Sequence, residues 1–210
     1  MSGPTIAVVD YGAGNLVSIE QALTRVGAVV TVARDPEGLR GADALVVPGV
    51  GAALPAMERL ARAGLVEPVR AWIDAGRPFL GVCLGLQLLF EGSDEDGAAT
   101  LGVLGGRTAR LEDAPTLPHI GWNQVQRRGP HPLFEGIDDG ADFYFVHSYV
   151  GVPTDDAVIA GTTEHGRPFV SAIASGSLLG VQFHPERSGD DGLRLLANFV
   201  GIAAAAQRAA

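Results

Sequence analysis

The residue best suited to chemistry is the only cysteine of the chain, Cys83, in the stretch GVCLGLQLLF at 81–90. Glycines stand two positions before and two positions after it, the G-x-nucleophile-x-G pattern of a sharp turn from a strand into a helix. Such a turn projects the side chain, the helix N-terminus favours a thiolate, and the amide of Leu84 becomes available to an oxyanion. A free cysteine among apolar residues is also a common core residue. This stretch alone leaves both interpretations open.

A cysteine nucleophile needs a base, and the base needs a group that orients it. His184 and Glu186 lie two positions apart in VQFHPERSG, at the end of an apolar strand. An extended backbone would place both side chains on the same side. The carboxylate would then hold one imidazole nitrogen while the other faces a thiol. The pair alone is weak evidence, but together with the cysteine turn it predicts a triad of Cys83, His184 and Glu186.

The other four histidines suit different roles. His119, His131 and His165 have Pro or Gly as neighbours, which predicts surface or packing positions in turns. His147 alternates with apolar residues in YFVHSY, so it either faces a cleft or satisfies a buried hydrogen bond, and we favour the hydrogen bond.

Four short apolar runs predict the strands that would carry these residues. They are TIAVVD (5–10), AVVTVA (28–33), DALVVPG (43–49) and PFLGV, which leads into Cys83. Helical periodicity between the runs predicts an α/β fold, with a mainly parallel central sheet and helices on both faces. The loops DYGAGN, PGVGAA and VCLGLQ each follow a strand. All three should therefore lie at the carboxyl edge of the sheet, where ligands of such sheets bind.

The second half of the chain has a different pattern. From about residue 105, strand-like pieces separated by Gly, Pro and Asp predict antiparallel extensions joined to the same sheet. A closing helix is predicted over 192–206. No internal repeat and no linker rich in Pro or Ser divides the chain, so we expect a single domain over 1–210.

Composition excludes several classes of function. The chain has 210 residues, of which 47% are hydrophobic and 19% charged, typical of a packed globular protein. A net charge of −9 offers no basic surface to a nucleic acid or an anionic membrane. No apolar run is long enough to span a bilayer, the N-terminus lacks an export pattern, and one cysteine cannot form an internal disulfide. We therefore expect a cytoplasmic protein.

Two further motifs resemble ligand sites in composition: an acidic run resembles a metal site, and a glycine-rich turn resembles a phosphate site. The acidic run EGSDEDG (91–97) predicts a solvated loop rather than a metal site. GAGN (12–15) resembles a phosphate loop but lacks the third glycine of the dinucleotide fingerprint, which favours a structural or interface turn. No metal and no cofactor are expected.

Together, GVCLGLQ and FHPE resemble the class I glutamine amidotransferases, a family with a Cys-His-Glu triad. VVDYGAGNLVSI, VVPGVGA, PHIGWNQV, FYFVHSY and GVQFHPERSG resemble more narrowly the glutaminase subunits of imidazole glycerol phosphate synthase, and this similarity runs from residue 8 to 189. The resemblance implies a flavodoxin-like α/β fold. It also implies that glutamine is hydrolysed to glutamate and ammonia through a glutamyl thioester on Cys83.

The resemblance assigns further residues to the site. The N–H of Leu84 and an N–H from Gly49, Val50 or Gly51 would form an oxyanion hole, with the glycines allowing a peptide to rotate when a partner activates the site. By the same similarity, Gln87 and the backbone around Ser148 and Tyr149 would bind the amino acid end of glutamine.

The resemblance also implies a partner, a barrel-shaped cyclase subunit that would form a heterodimer with this chain. The cyclase would use the ammonia to form imidazole glycerol phosphate and AICAR from PRFAR. Trp122, Asn123 and Arg187 are candidates for the interface, because large aromatic residues and arginine often anchor such contacts. Core packing is the alternative role for Trp122.

Two other functions remain as alternatives. One is a class I glutaminase that serves a different acceptor, such as pyridoxal phosphate synthesis. The other is a regulatory subunit that kept the fold without catalysis, although the presence of all three triad residues argues against it.

Overall fold

The computed structural model describes residues 3–12 and 16–209. In these ranges the chain forms eleven strands and five α-helices. The strands are β1 (Thr5–Val9), β2 (Val29–Ala33), β3 (Ala44–Gly49), β4 (Phe79–Cys83), β5 (Gly106–Arg110), β6 (His119–Arg127), β7 (Ala141–His147), β8 (Tyr149–Pro153), β9 (Ile159–His165), β10 (Arg167–Ser175) and β11 (Leu178–Val181). The helices are α1 (Leu16–Arg25), α2 (Ala53–Arg62), α3 (Val66–Asp74), α4 (Leu84–Gln87) and α5 (Gly189–Ala209).

Nine strands form one sheet in the order β2-β1-β3-β4-β11-β10-β9-β6-β7. The first five of these strands are parallel to one another. The pairings from β11 to β7 are antiparallel. β1 to β4, from the part of the sequence that alternates strand and helix, are thus parallel, because a parallel crossover needs room for a helix. The second half of the chain adds antiparallel pairs, and its last strand, β11, joins the parallel part beside β4.

Alternate residues of the central strands face two separate cores. In β1, Ile6 and Val8 pack in a core that also contains residues of α1 and α5. Ala7 and Val9 face the opposite core, which contains residues of α2, α3 and α4. Helices therefore cover both faces, and the predicted α/β fold class is confirmed.

The predicted elements differ from the structure in three places. β5 and β8 pair with each other in a separate two-stranded sheet, not with the main sheet as predicted. The apolar strand before His184 ends at Val181, so the extended backbone expected at His184 and Glu186 is not present. The closing helix begins at Gly189 and runs to Ala209, so it is longer than the predicted 192–206.

None of the helices in the described residues is both long enough and apolar enough to cross a membrane. The single-domain assignment over 1–210 stays a prediction.

Candidate active site

Cys83 lies at the carboxyl end of β4, at the centre of the sheet. Its neighbour across the β3 pairing is Gly49, which is the last residue of β3. On the other side of β4 lies β11, whose chain continues to His184. The parallel register thus brings three segments that are far apart in sequence to one edge of the sheet: the PGVG segment (48–51), the cysteine turn (81–85) and HPE (184–186).

The backbone at Cys83 is strained. Its φ of 55° and ψ of −108° lie in a region that side chains other than glycine rarely adopt. The turn closes only because two glycines allow its strands and helix to approach. A Cβ at Gly81 would lie 2.6 Å from the Gly85 carbonyl oxygen, and a Cβ at Gly85 would overlap the carbonyl oxygen of Val47. The predicted strand-to-helix elbow is therefore present, with the cysteine at its apex.

His184 and Glu186 form a buried pair. Nδ1 of His184 lies 2.9 Å from Oε1 of Glu186, and the two side chains are 7% and 5% exposed. The prediction of their proximity was right, but the predicted cause was wrong. The two residues are joined by a 3₁₀ turn over Pro185–Arg187 instead of an extended strand. Proline fixes its own φ near the value such a turn needs, which makes HPE a turn sequence here.

Two buried atoms of this pair have no hydrogen-bond partner among the described residues: Nε2 of His184 and Oε2 of Glu186. Burial lowers the pKa of His184, but interactions with Cys83 and Glu186 outweigh burial and raise its pKa to about 10. The approach of Nε2 to Cys83 is looser than a hydrogen bond, as is common in active sites without a ligand. A protonated imidazole between a sulfur and a carboxylate can give a proton to a leaving group.

The sulfur of Cys83 opens into a cavity of about 270 Å³. This volume is at the small end for ligand pockets, which suits a molecule of amino acid size. Its walls contain both predicted oxyanion residues and predicted substrate residues. They are Val50, Gly51, Ala52, Leu84, Gln87, Glu95, Pro118, Val146, His147, Ser148 and Tyr149.

The three residues of the PGVG segment that were predicted for the oxyanion hole, Gly49, Val50 and Gly51, differ in their environments. Gly51 has a φ of +94° and open space at its Cβ position, so its backbone is held where a side chain would be strained. Gly49 packs under the hydroxyl of Tyr11, which donates a hydrogen bond of 2.9 Å to the carbonyl of Pro48. Burial and the nearby Cys83 raise the pKa of Tyr11 above its ordinary value, so this hydroxyl keeps its proton. Val50 is 46% exposed.

The side-chain amide of Gln87 already donates two hydrogen bonds within the protein. Its Nε2 donates to the Tyr149 carbonyl at 2.8 Å and to Oε1 of Gln182 at 3.1 Å. Both amide hydrogens are thereby used, which leaves only Oε1 of Gln87 for a ligand.

Sequence reasoning missed Gln182 and Glu95. Gln182 is fully buried, and its Nε2 donates to the Cys83 sulfur at 3.6 Å. Glu95 is the one acidic residue, among those described, that lines the cavity. Burial and the neighbouring Asp96 raise the pKa of Glu95. No local signal in the sequence points to Gln182, because β11 ends at Val181 and strand alternation does not extend to Gln182 and His184.

The acidic run 91–97 is a loop with most of its residues exposed, as predicted. Within the run, Ser93 is buried and the Asp96 carboxylate accepts a 2.6 Å hydrogen bond from Leu54 N at the start of α2. The predicted turn position of His119 is wrong: His119 is buried in β6, where pairing with His147 on β7 holds it in the sheet, although its predicted packing role holds. Most of GAGN, at 13–15, lies outside the described residues. No cluster of His, Cys, Asp or Glu within the described ranges could hold a metal ion.

His131 and His165 fit their predicted roles better. The His131 side chain caps a short 3₁₀ helix by accepting a hydrogen bond from Leu133 N. His165 ends β9 and stacks on His119 with ring centres 4.1 Å apart. His147 both lines the cavity and makes buried hydrogen bonds, so the two interpretations of this residue hold together.

The candidate interface residues lie beside the triad. Trp122 is 57% exposed, so it is not a core residue. Trp122 meets the Tyr144 ring edge-on at 6.2 Å, and the exposed Arg187 lies 4.2 Å above the same ring. Asn123 faces the other side of β6, where its amide donates to the Glu164 carbonyl at 2.8 Å. Trp122 and Arg187 therefore share one surface, and Asn123 does not project from it.

Comparison with known proteins agrees with this geometry. The family model for class I glutamine amidotransferases matches residues 7–202. Solved structures with the same fold include a putative GMP synthase subunit from Thermoplasma acidophilum (TM-score 0.76, 20% identity, covering 100% of this chain and 98% of that one). Another is PurLQS from Thermotoga maritima (TM-score 0.77, 18% identity, covering 95% and 99%).

The sheet topology and the cysteine elbow thus define a class of protein, the class I glutamine amidotransferases. Sequence relatives narrow the class further. Imidazole glycerol phosphate synthase subunit HisH from Chloroflexus aurantiacus is 51% identical over 207 residues, covering 96% of this chain and 98% of the relative. The subunit HisH from Moorella thermoacetica is 50% identical over 195 residues, covering 92% and 93%. The chain belongs to the HisH family of imidazole glycerol phosphate synthase subunits.

Proposed function

We propose that the chain is the glutaminase subunit of an imidazole glycerol phosphate synthase. It hydrolyses glutamine to glutamate and ammonia, and the ammonia passes to a cyclase subunit that forms imidazole glycerol phosphate and AICAR from PRFAR in histidine biosynthesis. The observation that carries the proposal is the apposition of the strained Cys83 elbow and the buried pair of His184 and Glu186 at one edge of the sheet. The HisH relatives support this acceptor over pyridoxal phosphate synthesis.

The proposed reaction follows from the positions of the groups. The Cys83 thiolate attacks the side-chain amide carbon of glutamine to give a tetrahedral oxyanion, which accepts hydrogen bonds from the Leu84 N–H and an N–H of the PGVG segment. The C–N bond breaks as His184 gives its Nε2 proton to the departing nitrogen, so that ammonia and a glutamyl thioester form. Water, deprotonated by the now neutral His184, then releases glutamate and restores the thiolate.

Binding of the amino acid end of glutamine is assigned to the opposite wall of the cavity. Glutamine carries an α-ammonium group, and Glu95 supplies the negative charge that this group needs. The Oε1 of Gln87 and the backbone of Ser148 and Tyr149 offer further polar groups. This division leaves the amide end of glutamine at Cys83.

The test is a glutaminase assay of the chain alone, with the cyclase subunit, and with the cyclase and its nucleotide ligand. We expect low activity alone and strong stimulation in the liganded complex. Cys83→Ala should abolish glutamate release while ammonia added directly still supports the cyclase. Full activity of the isolated chain would contradict gating by the partner. A complex that forms no glutamate would favour the non-catalytic alternative.

A further inference from the structure

A line of buried and partly buried hydrogen bonds runs from β6 to the wall of the cavity. Nε2 of His119 lies 3.1 Å from Nδ2 of Asn123, and Nδ1 of His119 lies 3.1 Å from Nε2 of His147. Nδ1 of His147 lies 3.1 Å from the Tyr149 carbonyl oxygen. Both histidines are buried, and neither belongs to the triad.

The direction of each bond in the line is fixed. A carbonyl oxygen only accepts, so Nδ1 of His147 carries a hydrogen. Burial, and then the neighbouring histidines, lower the pKa of His147 to about 3, and burial and His165 lower the pKa of His119 to about 4. Both rings are therefore neutral at pH 7, with one donor and one acceptor each. It follows that His119 donates from Nδ1 to His147 and accepts at Nε2 from Asn123.

Aromatic packing holds the two rings in place. His119 stacks between Phe145 and His165, with ring centres 5.0 and 4.1 Å away. The His147 ring lies 5.0 Å from Phe169, which also meets His119 edge-on. The rings cannot turn to exchange donor and acceptor without breaking this packing.

The line ends on a group that the glutamine site uses. The Tyr149 carbonyl accepts from His147 and also from Gln87 Nε2, at 2.8 Å. His147, Tyr149 and Gln87 all line the cavity that contains Cys83. The orientation of the Gln87 amide, with Oε1 left for a ligand, thus depends on a carbonyl that His147 helps to hold.

We propose that His119 and His147 are positioning residues for glutamine: they hold the Tyr149 carbonyl and, through it, the Gln87 amide, and they link this wall of the cavity to β6. This inference deepens the proposed glutaminase function and rests on it for the identity of the ligand. The hydrogen-bond line itself is independent of turnover. The two parts can therefore be tested separately.

The first test reads the tautomers. ¹⁵N NMR of the full chain, labelled in its histidine side chains, should show His119 and His147 as neutral Nδ1–H tautomers at pH 7. His119→Phe and His147→Asn variants assign the signals. An Nε2–H tautomer or a protonated ring at His147 would overturn the proposal. The tautomer measurement requires no catalysis, so it tests the hydrogen bonds of His119 and His147 even if the complex fails to cleave glutamine.

The second test separates binding from chemistry in the complex with the cyclase subunit. His147→Gln places its amide near the Nε2 position and loses the bond to Tyr149, and its KM for glutamine should rise about tenfold, as expected for the loss of one buried hydrogen bond, with kcat within about twofold. His147→Asn retains a donor near Nδ1 and should recover most of that loss.

Phe134→Leu is the matched control for this experiment. Phe134 is buried in the short 3₁₀ turn over Pro132–Phe134 and has no ring contact with His119 or His147, so this variant should lower the melting temperature without raising KM. The proposal fails if Phe134→Leu raises KM as much as His147→Gln does, or if His147→Asn and His147→Gln are equally impaired. If the wild-type complex makes no glutamate at all, the proposed function fails and the tautomers still decide the positioning role.

Discussion

At the scale of single residues, the triad contains two buried polar atoms that make no hydrogen bond among the described residues. Nε2 of His184 and Oε2 of Glu186 are buried without hydrogen bonds, and each such atom typically costs about 1–3 kcal/mol. The protein retains this cost beside Cys83, with which His184 interacts. The strained φ of Cys83 is a second local cost at the same place. Both costs are expected at a site built for a reaction and not for stability.

Gln182 is the residue whose role is simplest to test. Its Nε2 donates to the Cys83 sulfur, and a bond of this kind stabilises the sulfur most when it is charged. Gln182→Leu keeps a similar volume but removes the donor, so alkylation of Cys83 by iodoacetamide at neutral pH should slow by about tenfold. Because Cys83 is the only cysteine, the mass of the intact chain reports its alkylation directly.

The control for Gln182→Leu is Ser171→Ala. Ser171 is equally buried, and its backbone carbonyl accepts a hydrogen bond from Gln182 N, but its hydroxyl has no partner among the described residues. Its alkylation rate should equal that of the wild type. An unchanged rate in Gln182→Leu would mean that the contact with sulfur is only packing.

At the scale of elements, the elbow between β4 and α4 exists because two glycines let backbones meet. Gly85 is the tighter position, since a Cβ there would overlap the backbone carbonyl of Val47 on β3. A flexible side chain could move away from such an overlap, but a strand at the centre of the sheet cannot.

Gly85→Ala should therefore destabilise the protein severely, by about 3 kcal/mol or more, or prevent soluble expression. Gly201→Ala is the matched control. Gly201 is exposed in α5 with open space at its Cβ position, and alanine there should stabilise the helix by about 1 kcal/mol. Urea denaturation measures both effects. A Gly85→Ala variant of wild-type stability would show that the elbow can relax.

The sequence predicted the elements whose contacts are local. The strand before Cys83 and the glycines around it lie within a few residues of each other, and the elbow was found as predicted. The His184 and Glu186 pair was also expected, but its 3₁₀ turn was not, because HPE is compatible with a strand end and with a turn.

Contacts that depend on register were not predictable. His119 meets His147 because the two are direct partners in the β6 and β7 pairing, and nothing near either residue encodes that alignment. Glu95 reaches the cavity because Asp96 holds the acidic loop against the start of α2, 42 residues earlier in the chain. Such long-range pairings come from the assembled core and not from local pattern.

At the scale of the whole molecule, stability should fall in acid because of the buried histidines. His147 is faced by His119, His165 and His184, and its pKa is lowered to about 3, mainly by burial. As the pH falls below about 6.5, the unfolded chain binds a proton at His147 and the folded chain does not, so the free energy of unfolding decreases. The slope approaches about 1.4 kcal/mol per pH unit for each such histidine. His184, whose pKa is raised to about 10, contributes a slope of opposite sign only until its unfolded form is protonated, and below about pH 5.5 it contributes no further slope.

Urea denaturation between about pH 7 and pH 4 measures this dependence. Surface carboxylates contribute their own slope, so the informative quantity is the difference between the wild type and His147→Asn. The variant should lose less stability on acidification, by up to about 1.4 kcal/mol per pH unit. If the free energy of unfolding fell equally with pH in the wild type and in His147→Asn, His147 would take up a proton in the folded state.

The last prediction concerns the surface beside the triad. Ile120 and Trp122 point outward from β6 and are 60% and 57% exposed, next to the Arg187 and Tyr144 pair. Adjacent large apolar side chains of this kind mark interaction surfaces. The proposed cyclase subunit should bind here, because this surface adjoins the triad: the Tyr144 carbonyl accepts a 2.9 Å hydrogen bond from His184 N, and Arg187 follows Glu186 directly.

Trp122→Ala and Ile120→Asp should each weaken binding of the cyclase subunit by about tenfold or more, with little change in melting temperature, because an exposed anchor contributes to the complex and not to the core. Val152→Asp is the control: Val152 is 48% exposed but lies on β8, in the separate sheet. Titration calorimetry with the purified subunits gives the affinities. Equal losses of affinity for Val152→Asp and Trp122→Ala would argue against an interface at β6. Wild-type affinity in both β6 variants would contradict binding of the cyclase subunit at this surface.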